Sequence, residues 1–447
     1  MGGDAEVPES YFDVELHADS VPPLFTVPRL PIELTEYAIG LHASTVVKDG
    51  GCLQIGIGAL SDALVKALLL REHENTSWRC ALVALDPAGH SQAMAGLLGG
   101  LGAFQTGLYG SSEMVMDGFM HLQRGGILRR RSWNNLALER AAVSGRLNPA
   151  TPGGHYLRGA FFLGSQDLYA WLASTEAADP AAIDMCAVSN VNQLYGDHQA
   201  LASLQRRDAR FFNTCMMASL LGAAASDTLA DGSVVSGVGG QYNFVSMAHE
   251  LPGGRSVLLL RATRNDRGGI ESNIRWDVGQ TTIPRHLRDI YVTEYGIADL
   301  RGKSDSECVE AMLSICDARF LDALCAQAKS HAKLAPDFVI PDGWRQHLPQ
   351  QLQQSLEPFR QKDVLPRFPF GSDFDAVEQR LLPVLVWLKS CSSHWRGRWQ
   401  LLRAVCRPGE AVEREDEALL RMGLAHPATL QEHLQRRLLQ AALRRHG

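Results

Sequence analysis

The sequence is most informative first for what it lacks. None of its nine cysteines forms a C-x-x-C pair: Cys52, Cys80, Cys186, Cys215, Cys308, Cys316, Cys325, Cys391 and Cys406 are scattered singly. An odd number of mostly apolar-flanked thiols argues against a disulfide framework and predicts small buried hydrophobes in a reducing compartment. No His/Cys/Asp cluster has zinc spacing, so no metal is expected, and there is no Gly-x-Ser-x-Gly elbow. Basic surplus is absent as well. Lys and Arg number 43 against 49 Asp and Glu, a formal charge of −6, which gives no reason to expect nucleic acid or an anionic membrane as partner. The most apolar stretches, Ala81 to Phe104 and Cys215 to Ala225, are broken by polar residues or too short to span a bilayer. The start, Met-Gly-Gly-Asp-Ala-Glu, has neither the basic nor the apolar region of a signal peptide, and Glu6 stands where a myristoylation motif wants Ser or Thr. These absences together predict a cytoplasmic protein.

What is present reads as an α/β enzyme. At 447 residues, 45% apolar and 21% charged, the chain can bury two or three cores. Residues 1–30 are proline-rich and acidic and suit an extended linker. The apolar spacing from Ile32 to Val47 predicts a helix, which Gly50-Gly51 stops. Cys52 to Gly58 then reads as a buried strand running into a glycine turn, with Ser61 as candidate cap of a helix through Leu64, Leu68 and Leu70. The same grammar recurs at Arg158 to Gly164 followed by Ser165 to Ala173. Arg255 to Leu260 and Asp289 to Thr293 read as further strands, the latter before a helix over 305–317. Such alternation predicts a largely parallel sheet, with ligands at the carboxyl ends of its strands. After about Pro336 no glycine-turn strand recurs. Leu401 to Gly447 reads as helical, with Arg436, Arg437, Arg444 and Arg445 forming a solvated face or a subunit contact.

Three places could carry chemistry. Ser236 to Phe244 holds Gly237, Gly239 and Gly240 within four positions, a loop able to aim bare N–H groups at a carbonyl oxygen or phosphate. Glu113 lies among Met114, Val115 and Met116. Partial desolvation there makes a better nucleophile, whereas a solvent-facing loop glutamate is the blander alternative. Gly56-x-Gly58-x-x-Ser61 is a degraded dinucleotide fingerprint without its third glycine, a weak pointer to NAD. Arg275, Arg285, His286 and Arg288 add local positive charge, either anion-binding or merely solvated.

The string from Val292 to Lys303, Val-Thr-Glu-Tyr-Gly-Ile-Ala-Asp-Leu-Arg-Gly-Lys, together with the Ser236–Phe244 loop, resembles the acetyl-CoA hydrolase/CoA-transferase family, which includes 4-hydroxybutyrate and succinyl-CoA:acetate CoA-transferases. Ser112-Glu113-Met114 with Asp117-Gly118 matches that family's nucleophile string. The resemblance implies that Glu113 forms the covalent intermediate and that Gly239 and Gly240 serve the oxyanion. It also implies that CoA meets Gly237, Val238, Gly239, Gly240 and Gln241, and the turn of Gln54, Gly56 and Gly58. Two departures stand out: Ser111 replaces the usual histidine, and Asn243 an acid. Glu294 and Tyr295 are expected to be structural. The implied fold is a NagB/RpiA/CoA-transferase-like open sheet flanked by helices, spanning residues 31–335, with residues 336–447 as a helical extension. Residues 1–30 would be the remnant of a further α/β domain. The implied substrates are a short acyl-CoA and a small carboxylate, with coenzyme A as substrate and no tightly bound cofactor. A homo-oligomer, or a partner chain supplying the missing domain, would complete the site. The competing expectation is a non-catalytic acyl-CoA-binding or subunit protein.

Overall fold

The structure is a computed structural model that describes residues 7–17, 20, 24–148, 150–179, 181–266, 269–392, 395–405 and 415–446. Residues 1–6 and 21–23, Cys406 and the side chain of Arg445, all considered above, lie outside this set. Chain contacts divide the molecule after Phe370 into two compact units.

The first unit opens with helix α1 (Leu34–Thr45), strand β1 (Cys52–Gln54), α2 (Ala59–His73), α3 (Asn75–Leu85) and α4 (His90–Leu98). β2 (Tyr109–Val115), α5 (Asp117–Arg124), α6 (Leu136–Val143), β3 (Leu157–Phe162), α7 (Gln166–Ala178), β4 (Ile183–Met185), α8 (Ser189–Asn192) and α9 (Gln199–Gln205) follow. Next come β5 (Arg210–Thr214), β6 (Met217–Ser219), β7 (Ala224–Ala225), α10 (Gln241–Glu250), β8 (Arg255–Leu259), β9 (Thr263–Asp266), β10 (Gly269–Ser272) and β11 (Ile274–Arg275). β12 (Ile290–Thr293), β13 (Gly296–Asp299), α11 (Asp305–Leu313), α12 (Ala318–Ser330) and α13 (Pro349–Gln361) complete it.

The main sheet has the order β13-β12-β8-β5-β1-β2-β3-β4 and is parallel throughout except for β13. This is the parallel α/β architecture that the strand–glycine–helix grammar predicts. Its two faces are buried in different cores. Ile39, Ala43, Val257, Ile290 and Val292 share one, and Leu258, Tyr291, Ala298, Val309 and Met312 the other, the period-2 alternation of a sheet covered on both sides. A small sheet, β11-β6-β7, and the hairpin β9–β10 lie outside it.

Local chemistry explains most boundaries. Glu33 and Glu36 form a reciprocal capping box at α1, and Ser304 and Glu307 another at α11. The Ser165 hydroxyl accepts the Leu168 N–H at the start of α7. The expected Ser61 cap does not occur: Gly58, at φ +111°, begins α2, and Ser61 falls inside the first turn. That conformation is cheap only for glycine, so the turn places the helix start three residues earlier. α1 is buried on nearly every side. It crosses α2 at Gly40, where a Cβ would meet the Ala63 carbonyl carbon at 2.6 Å.

Before α1, an extended segment lies on this unit. Arg29 donates to Asp117 Oδ1 at 2.7 Å, to the Ser165 hydroxyl at 2.8 Å and to the Phe370 carbonyl at 2.6 Å. The second unit, residues 371–447, holds α14 (Ala376–Ser392), α15 (Trp395–Val405), α16 (Glu415–Arg421) and α17 (Leu430–His446). They close around Leu381, Val384, Leu419, Leu439 and Leu443. Of the basic stripe, Arg436 donates to the Ala425 carbonyl at 2.9 Å and Arg444 lies 3.8 Å from Glu415.

Candidate active site

β1 is only three residues long, whereas its neighbours β2 and β5 have seven and five. The sheet order also reverses here: from β1 the chain moves outward through β2, β3 and β4, then returns to β5 on the other side. A crevice at the carboxyl end of a short central strand follows, the usual ligand position in such sheets.

Glu113 stands in that crevice. It belongs to β2 rather than to a loop, and its side chain is half-buried. The Gly240 N–H donates to its Oε2 at 3.2 Å, and Asn192 Nδ2 to its Oε1 at 2.6 Å. Gly240 is the N-cap of α10, so the carboxylate faces the positive end of that helix. The approach is so close that a Cβ on residue 240 would fall 2.2 Å from Glu113 Oε1. Only glycine fits. Gly239, at φ +56°, turns the loop into the helix.

The other sequence candidates divide. Gly237 and Val238 are exposed in the loop that leads to Gly240. Gln241 is buried and its amide donates to the Thr214 carbonyl at 3.2 Å, which ties α10 to the end of β5. Gln54 is buried in β1 and accepts from Asn213 at 3.4 Å; Gly56 and Gly58 form the turn after it. Ser111 does not orient Glu113: its hydroxyl is fully buried with no hydrogen-bond partner among the described residues. The donor to Glu113 is instead Asn192, from a one-turn helix that carries no recognisable sequence signal.

Asp117 is an anchor. It accepts from Arg29, from the Ser165 hydroxyl and from the Ser165 N–H at 3.1 Å, which locks the end of β2 to the start of α7. Glu294 is 4% exposed and accepts the Ala262 N–H at 2.8 Å; burial pushes its carboxyl up to about 7. The positive charges near 275–288 are committed elsewhere. Arg275 pairs with Glu271, and Arg285 and Arg288 lie 3.7 and 3.3 Å from Asp305. Large apolar side chains are exposed at Ile57 after β1, Phe161 and Phe162 ending β3, Val188 before α8, and Val238 and Tyr242 flanking Gly240 in the chain.

Among the described residues no group of three His, Cys, Asp or Glu is placed to hold a metal, and no helix is long and apolar enough to cross a membrane. The eight described cysteines are thiols, seven of them buried.

Fold and site together define a parallel α/β protein with a carboxylate clamped at a helix N-terminus over its topological switch point. Residues 164–328 match the acetyl-CoA hydrolase/transferase C-terminal domain. The chain is 23% identical over 318 residues to 4-hydroxybutyrate coenzyme A transferase of Clostridium kluyveri, covering 71% of this chain and 59% of that protein. It is 25% identical over 337 residues to succinyl-CoA:acetate/propanoyl-CoA:succinate CoA transferase of Fasciola hepatica, covering 75% and 57%. A solved RipA mutant superposes with a TM-score of 0.50 at 24% identity, over 70% of this chain and 57% of that one, a likeness of fold. The likeness to the acetyl-CoA hydrolase/transferase family thus rests on residues 164–328 and on these partial relatives of this chain. It spans less than three fifths of the length of these two relatives.

Proposed function

We propose that this chain carries the covalent half of an acyl-CoA transfer site and acts as a CoA-transferase or acyl-CoA hydrolase on a short acyl-CoA and a small carboxylate. The observation that carries this reading is the carboxylate of Glu113 held by two donors at the start of α10, in a chain related to CoA transferases.

Glu113 attacks the thioester carbonyl carbon. The C–S bond breaks, leaving an acyl-glutamyl anhydride and a CoA thiolate. The thiolate then attacks the glutamyl carbonyl of the anhydride, releasing the acyl carboxylate and forming a glutamyl–CoA thioester. An incoming carboxylate reverses the two steps to give a new acyl-CoA, whereas water at either stage gives hydrolysis. Gly240 N–H already touches a Glu113 oxygen, so it supports the oxyanion formed whenever the glutamyl carbonyl is the one attacked. Attack on the acyl carbonyl develops its charge on the opposite side of the crevice. We assign the donor for that oxyanion to a further domain or partner subunit covering exposed apolar side chains such as Phe161 and Phe162. Without that cover the chain would serve as an acyl-CoA-binding subunit.

The test is incubation with acetyl-CoA followed by hydroxylamine or borohydride and peptide mass spectrometry. A modification at Glu113, with exchange of label between acetyl-CoA and acetate, is expected. No adduct and no exchange would overturn the catalytic reading for this chain.

A further inference from the structure

The β13 edge of the main sheet carries a cavity. β12 lies four strands from β2 in the sheet order, roughly 20 Å away at about 4.8 Å per strand. β12 and β13 pair with Ile290 opposite Asp299 and Val292 opposite Ile297. The Leu300 N–H donates to the Asp289 carbonyl at 2.8 Å, which fixes the alternation along the ladder. Ala298 and Gly296 therefore bond to β12, while Ile297 and Asp299 turn their N–H and C=O groups outward. Among the described residues no strand pairs with that side. A cavity of about 750 Å³ lies there instead, with Ile297 and Asp299 in its wall.

Of the helices lining this cavity, which include α3 and α13, α4 and α11 lie on opposite faces of the sheet. α4 sits with α1 on the face of Ile290, Val292 and Ile297, and α11 covers the face of Tyr291 and Ala298. The α4 wall is Ala93 and Met94, with His90 at the helix start. The α11 wall carries Glu307 and Glu310, and Asp86 also lines the cavity, against a single Lys303. These three carboxylates accept hydrogen bonds from Ser304, Ser306 and the Ser91 N–H. None is ion-paired among the described residues. β13 itself, Gly-Ile-Ala-Asp, has none of the prolines, lysines or bulges that usually guard an edge.

We propose that this groove receives an extended peptide with alternating apolar and basic side chains, which adds to β13 as a ninth strand. Its backbone pairs with Ile297 and Asp299. Side chains of one parity pack on Ala93 and Met94, and those of the other reach Glu307 and Glu310, because successive residues of a strand face opposite sides. The acidic wall selects a basic segment by charge complementarity, independently of the reaction at Glu113.

The probe is a fluorescein-labelled hexapeptide of alternating valine and lysine, titrated with the full chain by fluorescence anisotropy. Saturable binding is expected. It should weaken with added salt and fall at least tenfold for the same peptide methylated on every backbone nitrogen, which leaves the protein untouched. Glu310→Lys should weaken it severalfold. Equal binding of the methylated peptide, or no saturation by either peptide, would overturn the proposal.

Discussion

Replacing Gly240 by alanine tests the site at its tightest point. The new methyl carbon would lie 2.2 Å from Glu113 Oε1, 2.4 Å from Cδ and 2.6 Å from Oε2. Non-bonded heavy atoms prefer roughly 3.5 Å, so the carboxylate must retreat by about 1 Å. The backbone is no obstacle, because residue 240 sits at φ −84° and ψ 8°, open to alanine. Glycine to alanine at a helix N-cap costs about 1 kcal/mol or less, so the melting temperature should move by no more than about 4 °C. The chemistry should suffer far more. Displacing a reacting group by about 1 Å costs on the order of 100-fold. The measurement is the rate of hydroxylamine-trappable adduct formation at Glu113 from acetyl-CoA, alongside thermal unfolding of wild type and Gly240→Ala. An unchanged adduct rate in a normally folded variant would refute the reasoning, because the steric conflict would then have no bearing on the reactive carboxylate.

Asn192→Ala removes the 2.6 Å donor to Glu113 Oε1. Hydrogen bonds to charged groups are worth about 1.5–3 kcal/mol, so adduct formation should slow by roughly 10- to 100-fold with little change in the denaturation midpoint. Asp117→Asn breaks the ion pair with Arg29, whose side chains are 14% and 13% exposed. Urea melts should show a loss of about 3 kcal/mol, and a loss below about 1 kcal/mol would show that the anchor is dispensable. Glu294 gives a pH signature. Its folded-state carboxyl keeps its proton up to about 7, against an ordinary 4.5. The folded state therefore binds more protons than the unfolded across that window, and stability falls as pH rises through it, by up to roughly 3 kcal/mol. Urea melts of Glu294→Gln at pH 5 and 7.5 should show the variant gaining on wild type at the higher pH. No change in the difference would refute a buried, protonated Glu294.

Much of this architecture was legible because it is written in local terms. The stop at Gly50-Gly51 and the alternation of apolar strands with helices are short-range features, and they recur in the structure at β1, β3, β8 and β12. Ser61 was misread because serine's capping preference is general, while the positive φ of Gly58 is a single conformational event that no pattern announces. Glu113 lies among apolar residues that suit a loop or a strand equally well, so its place in β2 depends on pairing with β3, 47 positions away in the chain.

The sequence alone determined the class of sheet and the glycines able to approach a ligand, because residue type and spacing limit backbone conformation directly, whereas Glu113 stood out as a candidate only through the family resemblance. Tertiary structure decided which of those glycines touches Glu113, that Asn192 rather than Ser111 is its second donor, and that Asp117 ties the end of β2 to the start of α7. Each of these is a contact between residues 48 to 127 positions apart. Contacts of that range are set by how strands order in the sheet and how helices pack on it, and no short stretch of sequence encodes either.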